Sequence, residues 1–111
     1  MKYILLCIIS LFLFSCESLV KEVKYEITGD AHSVSLTYAN ASEGTEQRSN
    51  IALPGTITFK SRPGNFLYMS AQNQGESGCV TVKIYVDGKV FKKSTSCGEY
   101  VIAEANGSCP F

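Results

Sequence analysis

The stretch "CVTVKIYVDGKVFKKSTSC", Cys79 to Cys97, constrains the fold more than any other part of the chain. Two strand-like runs, the first with apolar residues at every second position, flank Asp87-Gly88. Alternation of period two places successive side chains on opposite faces of a half-buried strand. An Asp-Gly pair between such runs favours a two-residue type I′ turn, whose two central residues both need positive φ. In the simplest register Val86 faces Lys89, Ile84 faces Phe91 and Lys83 faces Lys92. Val80, Val82, Ile84, Val86 and Phe91 then point to a core, and Lys83, Tyr85, Val90 and Lys92 point outward.

The same period recurs along the rest of the chain. "VKYEITG" sets Val23, Tyr25 and Ile27 against Lys24, Glu26 and Thr28, and "HSVSLTYAN" sets Val34, Leu36 and Tyr38 against Ser33, Ser35 and Thr37. "TGDAHS" and "RPGN" carry the Gly, Asp and Pro residues of turns. "YANASEGTEQR" has the small polar residues of a loop, and "SNIALPG" and "TITFKSR" are two further strand candidates around Pro54-Gly55. "NFLYMSAQN" places Leu67, Met69 and Ala71 on one face, and "GEYVIAEA" supplies a last strand with Val101 and Ala103 opposed to Tyr100 and Ile102. Beyond the first residues, no window has helical periodicity. Seven or eight short strands at intervals of about 8 to 12 residues predict an immunoglobulin-like antiparallel β-sandwich, with a small closed barrel as the other architecture.

The amino-terminal segment follows different rules. "MKYILLCIISLFLFS" has one early cation, Lys2, then an apolar run from Tyr3 to Phe14 and a small residue. That is the layout of an export signal, and the run is short of the ~20 apolar residues that span a bilayer. Leu13-Phe14-Ser15-Cys16 has the form of a lipobox, in which the cysteine thiol receives a diacylglycerol and becomes the first residue of the mature protein. The other reading is an ordinary secreted protein with an incidental cysteine. The chain thus divides into a signal over 1–15, a lipidated Cys16 with a short tether over 16–22, and a sandwich domain over 23–111. Acylation of Cys16 would hold the domain to a bacterial membrane, since two acyl chains anchor stably where one does not. Cys7 would leave with the signal.

An exported chain directs its remaining cysteines first toward disulfides. Cys79, Cys97 and Cys109 are an odd set, so one stays unpaired. In the hairpin register Cys79 lies opposite Ser96, and a small bulge would bring Cys97 to it; Cys109 is the competing partner for either. The chain has ten Lys and Arg against ten Asp and Glu, which gives no footprint for nucleic acid. Lys83, Lys89, Lys92 and Lys93 nevertheless concentrate charge on the hairpin. They either dock an acidic partner or an anionic head group, or keep a sheet face or edge soluble.

Catalytic chemistry finds little support. His32, the only histidine, falls in a predicted turn, and there is no GxSxG elbow, nucleotide-binding glycine pattern or CxxC pair. No metal or cofactor is expected. The acids fall at outward or loop positions, and only a convergence invisible in sequence would make a carboxylate hydrolase of them. Asn40-Ala41-Ser42 and Asn106-Gly107-Ser108 match the N-glycosylation pattern, which would matter only outside a bacterial lipoprotein.

Several elements together resemble the extracytoplasmic domain of the MmpS family of small mycobacterial membrane proteins and its lipoprotein relatives. They are Tyr25-x-x-Thr28-Gly29, Val34-x-Leu36-Thr37-Tyr38, Ala52-Leu53-Pro54, Ser70-Ala71-Gln72-Asn73 and Ile84-x-Val86-Asp87-Gly88-Lys89, in an order that spans Tyr25 to Ala105. The resemblance implies an immunoglobulin-like sandwich outside the cytoplasm with an accessory, non-enzymatic role beside RND-type exporters. This chain departs from the family in having Gly55 where Trp often follows Leu-Pro, and a candidate lipid site where a transmembrane helix is typical. The expected function is that of a lipid-anchored, cell-envelope binding or assembly module, engaged with an envelope transporter. The alternative is a carrier or sensor of a small hydrophobic ligand, which would need an apolar cavity on the order of 300 Å³ between the sheets.

Overall fold

A computed structural model describes residues 20–111. The expected signal, Cys16 and most of the expected tether lie outside the described residues. Within them the chain forms eight strands: β1 (Lys21–Gly29), β2 (Val34–Ala39), β3 (Thr45–Ile51), β4 (Gly55–Ser61), β5 (Phe66–Asn73), β6 (Cys79–Val86), β7 (Lys89–Cys97) and β8 (Ile102–Ser108). They build two antiparallel four-stranded sheets, ordered β4-β1-β6-β7 and β3-β2-β5-β8. The expected β-sandwich is what forms. β1 begins two residues before the expected domain start, because Lys21 and Glu22 already pair with Ser61 and Lys60.

The alternation places the core as expected. Val23, Tyr25 and Ile27 of β1, Val34, Leu36 and Tyr38 of β2, Leu67, Met69 and Ala71 of β5, and Val80, Val82 and Ile84 of β6 are all buried. Val23, Tyr25, Met69, Ala71, Val82 and Ile84 present no surface to a water molecule, either from outside or from an internal void. Ile51, Leu53, Ile57, Phe59 and Phe91 pack half-buried around this centre. Tyr25 is the largest of the wholly buried side chains. Its hydroxyl donates to Ala39 O at 2.8 Å and accepts from the Tyr68 N–H at 3.3 Å, so a residue of one sheet is hydrogen-bonded to two strands of the other. Its ring meets Tyr38 and Phe59 edge to face, with centroids 6.0 and 5.1 Å away.

Three local expectations are corrected. β3, Thr45–Ile51, starts four residues before the strand candidate at Ser49, inside the segment read as a loop after Tyr38, and its first six residues are all exposed. An edge strand with no buried face shows no alternation, and β3 is held by its ladder to β2 and by the turn before it. Asn40 shapes that turn, its Oδ1 accepting from the Ser42 and Gly44 N–H groups at 3.0 Å. The last strand starts at Ile102, later than "GEY" suggests, and runs on through Asn106 and Gly107. In the hairpin, Asp87 and Gly88 adopt φ of 50° and 80°, as a type I′ turn requires, and Val86 faces Lys89. An irregularity then intervenes: Tyr85 faces Val90 but Ile84 faces Lys92, leaving Phe91 as an extra residue. The pairs Ile84–Phe91 and Lys83–Lys92 are therefore replaced by Ile84–Lys92 and Lys83–Lys93. The extra residue lets Phe91 reach the core edge, where it lies over Gly107 of β8. A Cβ at position 107 would stand 2.9 Å from Phe91 Cζ, so any larger residue there would push the Phe91 ring aside.

The sandwich has two distinct ends. The chain enters at Lys21, and that end also holds the β2–β3 turn, the 62–65 turn, the Asp87–Gly88 turn and the segment after β8. The other end holds the Asp30–Ser33, Gln74–Gly78 and Gly98–Val101 connections.

Burial holds the Tyr25 phenol in its neutral form and raises its pKa from 10.0 to about 12. The folded pKa lies above the unfolded value, so the associated stability is complete below pH ~10 and is lost as pH rises toward 12. Denaturant midpoints measured across this window should fall for the native protein by the equivalent of about 2–3 kcal/mol. They should fall less for Tyr25→Phe, which at pH 7 should itself cost about 1–2 kcal/mol for the lost hydrogen bonds.

Candidate functional site: the disulfide end and the hairpin surface

Cys79 and Cys97 stand opposite each other in the β6–β7 ladder and form a disulfide, with Cα atoms 4.0 Å apart. The bulge at Phe91 is what brings Cys97 into register, and of the three pairings open from sequence this one forms. Around it the end connections are tied by polar contacts. Asp30 Oδ1 accepts from the Cys79 N–H at 2.6 Å, and the Gly98 N–H donates to Gly78 O. Asn73 is wholly buried; its Nδ2 donates to Ser77 O and Gly98 O at 2.9 and 3.0 Å, and its Oδ1 accepts from the Gly75 N–H. One amide thus satisfies three backbone groups of two loops, as a buried polar side chain must. Sequence reasoning passed over Asn73 as the end of a strand. A polar residue on the apolar face of "FLYMSAQN" was the available signal.

Cys109 is free and buried at the opposite end, beside Ser61. Burial pushes its thiol pKa up, so the reactive thiolate is suppressed. It packs as a small apolar residue. Asp87 is held below the usual carboxylate range by the Glu22 N–H, which it accepts at 2.9 Å, and by Lys21, whose Nζ lies 3.4 Å from Asp87 Oδ2.

The four hairpin lysines do not form one patch. Lys83 and Lys93 are direct cross-strand neighbours on the outer face of their sheet. Lys92 does not point outward with them: its Nζ lies 5.2 Å from the Phe91 ring centroid and its Cε leans over Gly107. Lys89 sits beside the turn. The outer face gains instead Lys24, whose Nζ is 4.4 Å from the Tyr85 ring centroid, and Glu26, which pairs in register with Lys83 and accepts from the Tyr85 hydroxyl at 3.3 Å. Two shallow depressions of about 300 and 260 Å³ flank the start of β1, one lined by Glu22, Thr58, Phe59 and Lys60, the other by Val20, Lys21, Glu22, Lys60 and Asp87. His32 is exposed in its turn. Among the described residues, no group of three or more His, Cys, Asp or Glu side chains is placed to hold a metal ion.

The domain is a disulfide-bonded, eight-stranded β-sandwich with a packed core. The family model described as "Mycobacterium membrane protein" matches residues 15–109, and the chain belongs to that family. The MmpS-like resemblance of its strand motifs stands, and membership gives the protein a cell-envelope association. The comparison with curated proteins found no match. Among the described residues, no helix is long and apolar enough to cross a membrane.

Loss of the disulfide by Cys97→Ser should lower stability by roughly 3 kcal/mol, from the entropy regained by a loop of its length. Dithiothreitol should lower the melting temperature of the native protein to a similar value and leave that of Cys97→Ser unchanged. Cys109→Ser should keep the reductant response intact.

Proposed function

We propose that the protein is a lipid-anchored, non-enzymatic assembly module of the cell envelope that docks onto another envelope protein, an RND-type transporter being the partner its family suggests. The observation that carries this reading is the filled interior. Side chains from both sheets meet with no accessible surface between them, so the fold offers its faces and edges for interaction. This favours docking over carriage of a hydrophobic ligand, which would need an enclosed apolar space. Lys24, Lys83 and Lys93 supply the cationic side of the contact.

The placement of Lys83 opposite Lys93 supports a docking role. Like charges directly across a ladder oppose folding, and here Glu26 flanks Lys83 on the β1 side only. Lys93→Glu should therefore raise stability by a few tenths of a kcal/mol at low salt while weakening docking. A photo-crosslinking residue at position 93, used in intact cells and read by mass spectrometry, should capture one recurrent envelope protein, and Lys83→Glu should reduce that yield. Absence of any recurrent product would count against the assembly role.

Anchoring is assigned to Cys16, at the end of the apolar run and within the region matched by the family. Cys16→Ser should abolish incorporation of labelled fatty acid and release the protein from membranes. Continued labelling of the mutant would sink the assignment.

A further inference from the structure

Four of the exposed large apolar side chains gather at the end where the chain enters the fold. Val20 (44% exposed) immediately precedes β1, and Phe111 (94%) lies beyond β8. Phe66 (49%) opens β5, and Val90 (55%) is the second residue of β7. Only Tyr100 and Ile102, of the others, are comparably exposed among the described residues, and both lie toward the disulfide end. Hydrogen bonds fix this collar to the body of the domain: the Gly64 N–H donates to Cys109 O at 2.8 Å, the Cys109 N–H to Asn65 O at 2.7 Å and the Asp87 N–H to Glu22 O at 2.8 Å. Lys60, Arg62 and Lys89 are exposed around it. Its acids are Glu22, Glu43, Glu46 and Asp87, and Glu46 accepts from Asn40 Nδ2 at 3.1 Å. Asp87 is occupied by Lys21, Glu22 stands in register with Lys60, and Glu43 accepts from the Phe66 N–H at 2.8 Å.

The covalent chain says what lies near this end. Cys16 to Lys21 is five residues, which reach at most about 17 Å when fully extended. An acylated Cys16 therefore keeps the Lys21 end within that distance of the bilayer, and the disulfide end cannot take its place without inverting the domain. Exposed aromatic and aliphatic side chains with interleaved cations are the chemistry of a membrane–water interface, where rings sit at headgroup depth and Lys and Arg meet lipid phosphates.

We propose that the Lys21 end of the sandwich is a membrane-seating surface, in which Val20, Phe66, Val90 and Phe111 enter the interfacial layer while Lys60, Arg62 and Lys89 contact phosphate headgroups. The domain then stands on the bilayer with the Cys79–Cys97 end pointing away. This inference rests on the anchoring reading above.

The chain has no tryptophan, so single substitutions make clean reporters. Full-length, lipid-bearing Phe111→Trp and Tyr100→Trp proteins would be reconstituted into phosphatidylcholine–phosphatidylglycerol vesicles, with and without lipids brominated near the headgroup. Phe111→Trp emission should be blue-shifted and quenched about twofold by the brominated lipid, while Tyr100→Trp remains unquenched. The double change Phe66→Ser and Arg62→Glu in the Phe111→Trp protein should reverse most of the quenching without loss of flotation. Flotation with neither reporter quenched would overturn the seating and leave the anchor intact. Failure to float would overturn the anchor and the seating with it. A blue shift that is insensitive to bromine and grows with protein concentration would mean that a second copy covers this end, which also overturns the proposal.

Discussion

The hydroxyl of Tyr25 is the point on which the two sheets are referenced to each other. Tyr25 lies on β1, a central strand of its sheet, and its ring fills the middle of the core. A phenol buried there without partners would cost more than its ring contributes at the margin. The Ala39 carbonyl and the Tyr68 N–H satisfy it, and both belong to the opposite sheet. Apolar packing alone is tolerant of small slides between sheets. A buried hydrogen bond across the interface is directional, and it fixes the offset at which β1 faces β2 and β5.

The fold's two hairpins meet the core differently. β6–β7 carries inward apolar residues on β6, and its bulge both places Phe91 at the core edge and aligns the cysteines. β2–β3 has its inward residues on β2, with only Ile51 at the end of β3 reaching the core, so the rest of β3 is a polar edge held by backbone pairing. Edge strands of this kind resist aggregation when they are charged, and β3 carries Glu46 and Arg48.

Legibility in the sequence follows the same division. Strands with one buried face were readable from period two: β1, β2, β5 and β6 fall where Val23, Val34, Leu67 and Val80 begin their alternations. β3 left no such mark, because Thr45 to Asn50 face water on both sides. The type I′ turn was legible because Asp87-Gly88 admits few other conformations. The bulge was not, since one extra residue changes no residue type; only the need to bring Cys97 opposite Cys79 hinted at it. Of the candidate site, the disulfide was legible as one of three pairings. The lysines were legible as a concentration of charge but not as a surface: the bulge turns Lys92 toward Phe91, and Lys24 joins the outer face only through the β1–β6 register. Asn73 was legible only as an anomaly.

The polarity of the domain follows from these placements. Antiparallel pairing with crossovers between the sheets sends the connections alternately to two ends, and nothing in sandwich packing requires the ends to differ. Here they do. The disulfide, Asn73 and Asp30 tie the connections of one end to each other by covalent and polar links that water need not supply. The opposite end keeps its turns equally well bonded and leaves four large apolar side chains exposed, against Tyr100 and Ile102 at the disulfide end. Core formation cannot account for that exposure, because Phe66 and Val90 stand on outward positions of well-formed strands. At the Lys21 end the covalent chain itself leads toward the apolar run of the first fourteen residues.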